Sequence, residues 1–249
     1  MISICVMIYV GIFAQEKPEF RIRTITAGIN LKSVDDLVTI KSAITFLQSA
    51  KSIYESNGYE VQTLRIATQN FQQYKGKQNW IETIESLRKI DHILDEAGVI
   101  IALGQVIESD QEISEVPEWA ATLIRKTNHI NFSMQIATPQ TGIHLSTIRT
   151  AAKTMIALST AAPRGEGNFR FTATANLPAT TPFYPAAWHK GKHSFAIGLE
   201  SPKLLMKAFR NADLNQAKDR LTKLMNRQLK PVEKIARSIA SEDWQYDGI

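Results

Sequence analysis

Apolar positions along the chain switch repeatedly between the two-residue period of strands and the three- and four-residue spacing of helices. Residues 20–31 (FRIRTITAGINL) are rich in β-branched side chains and predict a first strand. Ser33 then predicts the N-cap of a helix that ends at Asn57-Gly58. The same switching predicts strands at 61–68, 99–103, 130–137, 169–177 and 194–199, and helices at 79–97, 117–127, 146–159 and, with a new start at Pro231, 202–241. This alternation predicts an α/β fold with a mostly parallel sheet.

Two of the predicted strands are polar on one face, which is unusual for a parallel sheet that helices cover on both sides. In residues 169–177 the polar side chains alternate with apolar ones and share one face: Arg170, Thr172, Thr174 and Asn176. Residues 130–137 alternate in the same way. We expect helices on the dry face and a polar concavity, ligand-lined or part of a barrel-like architecture, on the other; a face open to water is the alternative.

The predicted elements form one domain over residues 20–249, with residues 1–19 as a leader or N-terminal extension. Met1 to Ala14 form an apolar run that is too short to cross a bilayer but fits the core of an export signal. No Lys or Arg precedes it, so an upstream start or a buried N-terminal element is the alternative. Residues 244–249 (WQYDGI) resemble the beginning of a further strand, which predicts a truncated chain.

The net charge of +5 is concentrated in one helical region. Residues 203–237 hold ten Lys or Arg against three acidic residues, but no aromatic residue that could stack on bases lies between Phe209 and Trp244. We therefore expect a solvated helix face and no nucleic-acid partner. No segment after the leader is apolar enough for a membrane span. A single cysteine, Cys5, excludes intrachain disulfides and cysteine-based zinc sites.

Common nucleotide-binding and hydrolase motifs are absent from the sequence. His189 and His193 are four residues apart in HKGKH, but Gly191 and nearby prolines predict a loop, so we expect no metal site. His189 lies between two strands, close in sequence to Tyr184 and Trp188. It is our candidate catalytic residue, as a general acid or base; a packing or surface histidine is the alternative.

Polar residues on or after predicted strands are candidates for ligand binding. Arg23 lies within the first strand, where a guanidinium needs either an anionic ligand or an ion pair within the fold. Asn176 and Glu200 follow the carboxyl ends of two predicted strands, where ligands gather in open α/β sheets and barrels. Capping and turn formation explain these two residues equally well.

Three groups of residues, in order along the chain, resemble successive signatures of one family: RTIT at 23–26 with Gly28 and Leu31, TGI at 141–143, and Asn176 with Pro182, Phe183 and His189. It is the uncharacterised domain-of-unknown-function family number 711, and the resemblance runs from about Phe20 to the C-terminus. The resemblance implies a fold similar to the α/β barrel of pyruvate formate-lyase-like glycyl radical enzymes, longer chains and a cytoplasmic location, with export through residues 1–14 as the alternative. It implies no reaction, and a radical mechanism is not supported because Cys5 is the single cysteine.

The sequence differs from that family around the histidine. Pro185, Ala186 and Lys190 stand where members often have glycines, and Glu200 begins a stretch where members have small residues. The geometry of this loop is therefore expected to differ.

The favoured hypothesis is a protein that binds a small polar or anionic molecule on the polar strand face, with enzymatic activity left open. Arg23 and Thr26 would anchor the anion, Asn176 and Glu200 would contact the ligand, and His189 would transfer a proton. The sequence does not identify a cofactor. The rival hypothesis is a non-catalytic protein that assembles with a missing half or as a homo-oligomer through an open sheet edge.

Overall fold

A computed structural model of the protein describes residues 18–249, in which one eight-stranded sheet is flanked by helices. The strands are β1 (Arg21–Ile29), β2 (Leu64–Thr68), β3 (Val99–Ile107), β4 (Ile130–Thr138), β5 (Gly142–Ile143), β6 (Phe171–Ala175), β7 (Ser194–Glu200) and β8 (Gln245–Gly248). The helices are α1 (Leu37–Ser56), α2 (Phe71–Lys75), α3 (Thr83–Ala97), α4 (Val116–Lys126), α5 (Leu145–Ser159), α6 (Pro202–Phe209) and α7 (Leu214–Ile239). The leader at residues 1–14 and Cys5 lie outside the described residues.

Five strands run parallel, in the spatial order β6-β4-β3-β2-β1. The short β5 pairs antiparallel with the end of β4, β7 pairs antiparallel with β1, and β8 runs parallel to β7. The predicted α/β fold with a mostly parallel sheet is confirmed, and residues 244–249 do contain a strand. The sheet is open, since β8 lies at one edge and β5 and β6 at the other, so it is not closed into a barrel.

Chain connectivity explains why one face of the sheet is dry and the other polar. Successive parallel strands always add on the same side of the previous one, from β1 to β6. Because parallel crossovers are right-handed, such one-way growth puts every crossover helix on the same face. The fully buried side chains of Ile25, Ile66 and Phe132 point to that face, against α1, α3 and α4. The opposite face receives no crossover helix.

An aromatic cluster fixes the middle of the dry layer. Trp119 of α4 is fully buried, with ring centroids 5.4 Å from Phe71, 5.1 Å from Trp80 and 5.3 Å from Phe132. Its indole Nε1–H donates to the Thr83 hydroxyl at 3.0 Å, so the one polar atom of the ring is satisfied. This cluster and the bond to Thr83 join α2, α3 and α4 to β4 on the dry face of the sheet.

The predicted polar face is present on β4 and β6. Asn131, Ser133 and Gln135 alternate with the apolar residues of β4, and all three are buried. Gln135 accepts hydrogen bonds from Gln105 Nε2 at 2.8 Å and from the Thr174 hydroxyl at 2.7 Å, which link β3, β4 and β6. These bonds satisfy polar groups that would otherwise be costly to bury.

Three local predictions were wrong. Asp36, not Ser33, caps α1, because its carboxylate accepts the backbone N–H of Thr39 at 3.1 Å. Pro231 does not start a helix but lies exposed within α7, where the fully buried Val232 and Ala236 keep the helix continuous.

The third error concerns the beginning of β6. Residues 163–170 form a 3₁₀ segment, so Arg170 does not join the polar strand face. Its guanidinium instead donates to the Ile130 carbonyl at 2.8 Å and to the Thr127 hydroxyl at 2.6 Å. Burial lowers the pKa of Arg170 to about 10, which leaves it charged at neutral pH. It serves as a link between the end of α4 and the beginning of β4.

Candidate functional site

The connection between β6 and β7 runs back over the polar face of the sheet, and we call residues 176–193 the covering loop. The loop is tied to the sheet by its backbone, since the N–H of His189 donates to the Thr68 carbonyl at the end of β2, at 2.9 Å. Side chains add a small apolar contact, in which Ala187 of the loop packs against Ala67 of β2. The polar face is therefore neither open to water nor covered by a helix, but closed by this loop.

His189 lies in the layer between the covering loop and the sheet, and its side chain is 2% exposed. The imidazole rests directly on the backbone of β1 at Gly28, where an added Cβ would lie 2.2 Å from the ring Nδ1. Any residue other than glycine at position 28 would fill the space of the ring. The ring Nε2 is buried and has no hydrogen-bond partner among the described residues.

A small pocket surrounds this ring, and we call it the His189 pocket. Its lining includes Thr26, Gly28, Ala67, Trp188, His189, Ser194 and Asp247. The space within it is about 10 Å³, which is room for about one water. The Ser194 hydroxyl donates to the Asp247 carboxylate, so β7 and β8 contribute one acidic group to the pocket. A ligand larger than water must extend out of this pocket or displace part of the covering loop.

The environment of His189 favours its neutral form. Burial lowers the pKa of the imidazole below its ordinary value of 6.5, and the nearby His193 acts in the same direction. Asp247 and the backbone at Gly191 and Lys192 oppose this effect without cancelling it. A buried imidazole that is neutral at pH 7 can accept a proton from a bound molecule.

We expect the stability of the protein to fall as the pH drops from 7 to 5, in part because of His189. A histidine whose pKa is lowered by folding contributes fully above pH 6.5, and this contribution is lost as the pH falls towards the folded-state pKa. Urea unfolding at several pH values measures the effect. The slope should become clearly smaller in His189→Gln and less so in His193→Gln, because His193 acts only through its effect on the pKa of His189. An NMR titration of His189 at or above the ordinary pKa would contradict this expectation.

A second polar group, Arg65 of β2, lies beside this pocket. Its backbone pairs with Thr26 of β1, and its guanidinium lies 4.7 Å from the centre of the Tyr184 ring of the covering loop. Arg65 Nε is buried without a hydrogen-bond partner, and no carboxylate among residues 18–249 forms an ion pair with it. Burial lowers the pKa of Arg65, and the positive charge of Arg23 acts in the same direction.

Tyr184 is also enclosed at this position. Burial raises the pKa of its phenol well above 10, against the opposing effects of Arg65 and Asn131. Its hydroxyl has no hydrogen-bond partner that meets normal geometry among the described residues. The phenol is therefore neutral and available as a donor or acceptor.

The structure brings together two of the residues selected from the sequence. Thr26 and His189 line the same pocket, and Thr26 is buried with its hydroxyl 3.4 Å from that of Thr24. Arg23 is near Arg65 but is exposed, and it donates to the Thr63 hydroxyl at 3.1 Å. It forms no ion pair with any described carboxylate.

The other two selected residues lie away from the His189 pocket. Asn176 is exposed in a left-handed turn with φ of 54°, and its N–H donates to the Ala137 carbonyl at 2.9 Å. Glu200 does end a strand, but β7 is antiparallel to β1. Glu200 therefore pairs with Arg21 at the beginning of β1, away from the carboxyl ends of the parallel strands. The expectation that Glu200 and Asn176 lie at the same end of the strands required β7 to run parallel to β1.

Sequence reasoning missed Arg65, Gly28 and Asp247 as parts of this site. Arg65 carried the same signal as Arg23, a charged residue between the apolar Leu64 and Ile66 of a strand. Gly28 inside a strand is typical of a close approach by another group. Asp247 carried no local signal, because its position depends on β8 pairing with β7.

Among residues 18–249 no three His, Cys, Asp or Glu side chains are grouped so that they could hold a metal ion. The same part of the chain contains no helix that is both long and apolar enough to span a bilayer.

One family profile matches the chain. It is described as Uncharacterised ACR (DUF711), and it matches residues 14–249, which include every strand and helix described above. No curated protein matches the chain.

Proposed function

We propose that this chain, which belongs to the DUF711 family of uncharacterised proteins, binds a small polar or anionic molecule between the covering loop and the polar sheet face. The observation that carries the proposal is the Nε2 atom of His189, which is buried and unpaired. Buried polar atoms without a partner are rare in folded proteins, and they concentrate where a ligand or water supplies the missing bond. The pocket lies beside the carboxyl ends of β1 and β2, where open α/β sheets bind their ligands.

His189 is the proton-transfer group of this proposal. It is held by its backbone bond to Thr68 and by contact with Gly28, so the ring is positioned before a ligand arrives. Serine-type acyl transfer is not the reaction we propose, because the Ser194 hydroxyl donates to Asp247 and is not oriented towards His189 as a nucleophile would be. Proton abstraction from a bound molecule agrees better with a neutral imidazole.

Native mass spectrometry of the gently purified chain tests this proposal. We expect a retained small molecule whose affinity falls about tenfold or more in His189→Gln, since the loss of one hydrogen bond to a buried group costs about 1–3 kcal/mol. His193→Gln is the matched control and should keep the ligand. The proposal fails if His189→Gln retains the same molecule with the same affinity as wild type. It also fails if no molecule is retained and no polar or anionic probe shifts the His189 NMR signals.

A second candidate function is assembly, and one surface favours it. Four large apolar side chains are exposed along α6 and at the beginning of α7: Leu205, Met206, Phe209 and Leu214. Apolar side chains grouped on one surface mark protein–protein contacts more often than scattered ones. Sedimentation velocity compares the two functions, because an oligomer that dissociates in Phe209→Ser while ligand retention is unchanged would support assembly.

A further inference from the structure

Buried donors without partners collect at one place in the structure. Among the described residues, the buried side-chain nitrogens and hydroxyls that lack a hydrogen bond include Arg65 Nε, Tyr184 Oη, Trp188 Nε1 and His189 Nε2. Three of these residues belong to the covering loop, and Arg65 lies on the strand beneath it. Arg65 Nε and Trp188 Nε1 can only donate, and the Tyr184 hydroxyl can donate as well as accept. These three unsatisfied groups indicate a missing acceptor, because native proteins rarely leave such groups unpaired.

The charge at this place indicates an anionic acceptor. Arg65 is half-buried and has no carboxylate partner among residues 18–249, and Arg23 adds a second positive charge nearby. Partial burial of a guanidinium without a counter-charge is unfavourable, and an anion on its free edge would reduce that cost. Since the Tyr184 ring covers one side of the guanidinium at 4.7 Å, the in-plane edge is the part left for a ligand.

The position of Arg65 relative to His189 bears on the size of the ligand. Arg65 is beside Thr26 in the sheet, whereas the His189 ring rests on Gly28, two residues further along β1. Two residues of a strand span about 7 Å along the backbone, so a ligand that contacts both Arg65 and His189 needs only to be a small molecule.

We infer that Arg65 binds the carboxylate of a small carboxylic acid whose other end reaches His189. This inference rests on the proposed function and names its ligand class and its anion-binding residue. A flat, singly charged carboxylate matches one guanidinium edge between two closely packed layers, and Ala67, Ala102 and Ala187 keep those layers close. Arg23, the arginine selected from the sequence, is exposed and hydrogen-bonded to Thr63, so it has the lesser role of adding positive charge.

The test is an NMR titration of the full chain that follows the arginine Nε–H signals, because Arg65 Nε is the unpaired atom. Propionate should shift the Arg65 signal, and the neutral propionamide should not. In Arg65→Lys the affinity for propionate should fall about tenfold or more, because lysine cannot form the bidentate pair. Arg21→Lys is the matched control on the neighbouring strand, since Arg21 is exposed and already paired with Glu60 at 3.1 Å. The affinity of this variant for propionate should equal that of wild type.

A second variant, Tyr184→Phe, tests the same site in case Arg65→Lys misfolds. Tyr184→Phe keeps the ring over the guanidinium but removes one donor, and it should weaken propionate binding several-fold. An Arg65 signal that responds to inorganic phosphate and not to propionate would overturn the carboxylate assignment. Binding that is equal in Arg65→Lys and Arg21→Lys would overturn the role of Arg65. If a retained molecule still depends on His189 in that case, the proposed function stands and only this inference fails.

Discussion

Replacing Gly28 by alanine is expected to lower the free energy of unfolding by about 1–3 kcal/mol and to displace His189 from its pocket. The reason is steric, since the new Cβ would lie 2.2 Å from the ring Nδ1 and 2.7 Å from Cγ. The backbone is not the cause, because φ at Gly28 lies outside the left-handed region. Chemical denaturation measures the loss, and the NMR signals of His189 report its displacement.

A double-mutant cycle separates this clash from a general effect on β1. In the His189→Ala background the ring is absent, so Gly28→Ala should be neutral or stabilising by up to about 1 kcal/mol, as expected for alanine in place of glycine in a strand. Under the proposed function, the single variant should also bind its ligand less tightly than wild type. Equal costs in both backgrounds would show that Gly28 is required for another reason and that the ring does not depend on it.

The fold was predictable to the extent that hydrophobic periodicity determines it. The alternation of β4 and β6 placed Asn131, Ser133 and Thr174 on one face, and all of them are found there. Periodicity does not encode strand direction, however, and β7 follows a loop of 18 residues (176–193) that returns across the sheet. Glu200 was therefore predicted at the wrong end of the sheet's strands, although the strand that contains it was predicted correctly.

The candidate site was predictable only in part, because its residues meet through the covering loop. His189 was selected as a histidine between two strands, and Thr26 as a polar residue on a strand. The contact of Tyr184 with Arg65 joins residues 119 positions apart, and no local pattern encodes it. Arg65 was overlooked for that reason, while the exposed Arg23 gave the same sequence signal. Local patterns can indicate that a residue is polar and in a strand, but not whether a loop will bury it.

Replacing Gly104 by alanine should be more costly than the change at Gly28, with an expected loss of about 2–5 kcal/mol. Two effects add at this bend in β3. The backbone is left-handed, with φ of 67°, and an added Cβ would lie 2.5 Å from the Gln69 carbonyl oxygen and 2.8 Å from that of Thr68. Backbone atoms cannot rotate away as a side chain can, so the end of β2 must move.

That movement should reach the site, because the end of β2 holds two other segments in place. The Thr68 carbonyl accepts the backbone N–H of His189 at 2.9 Å, and the Gln69 side chain binds the backbone of Leu31 through two hydrogen bonds. The NMR signals of His189 should therefore shift in Gly104→Ala even where the protein remains folded. Denaturation and ligand retention measured on the same samples show whether stability and binding fall together.

Gly98 provides a matched control for the backbone effect alone. Its φ of 64° is nearly the same as that of Gly104, but an added Cβ there would meet nothing within 4 Å. Gly98→Ala should therefore cost only about 1–2 kcal/mol, the price of a left-handed alanine, and should leave His189 unchanged. If the two variants lose the same stability, the clash with the end of β2 is not significant. The link from β3 through Thr68 to His189 would then have to be abandoned, and the covering loop would be positioned mainly by its own contacts with the polar face.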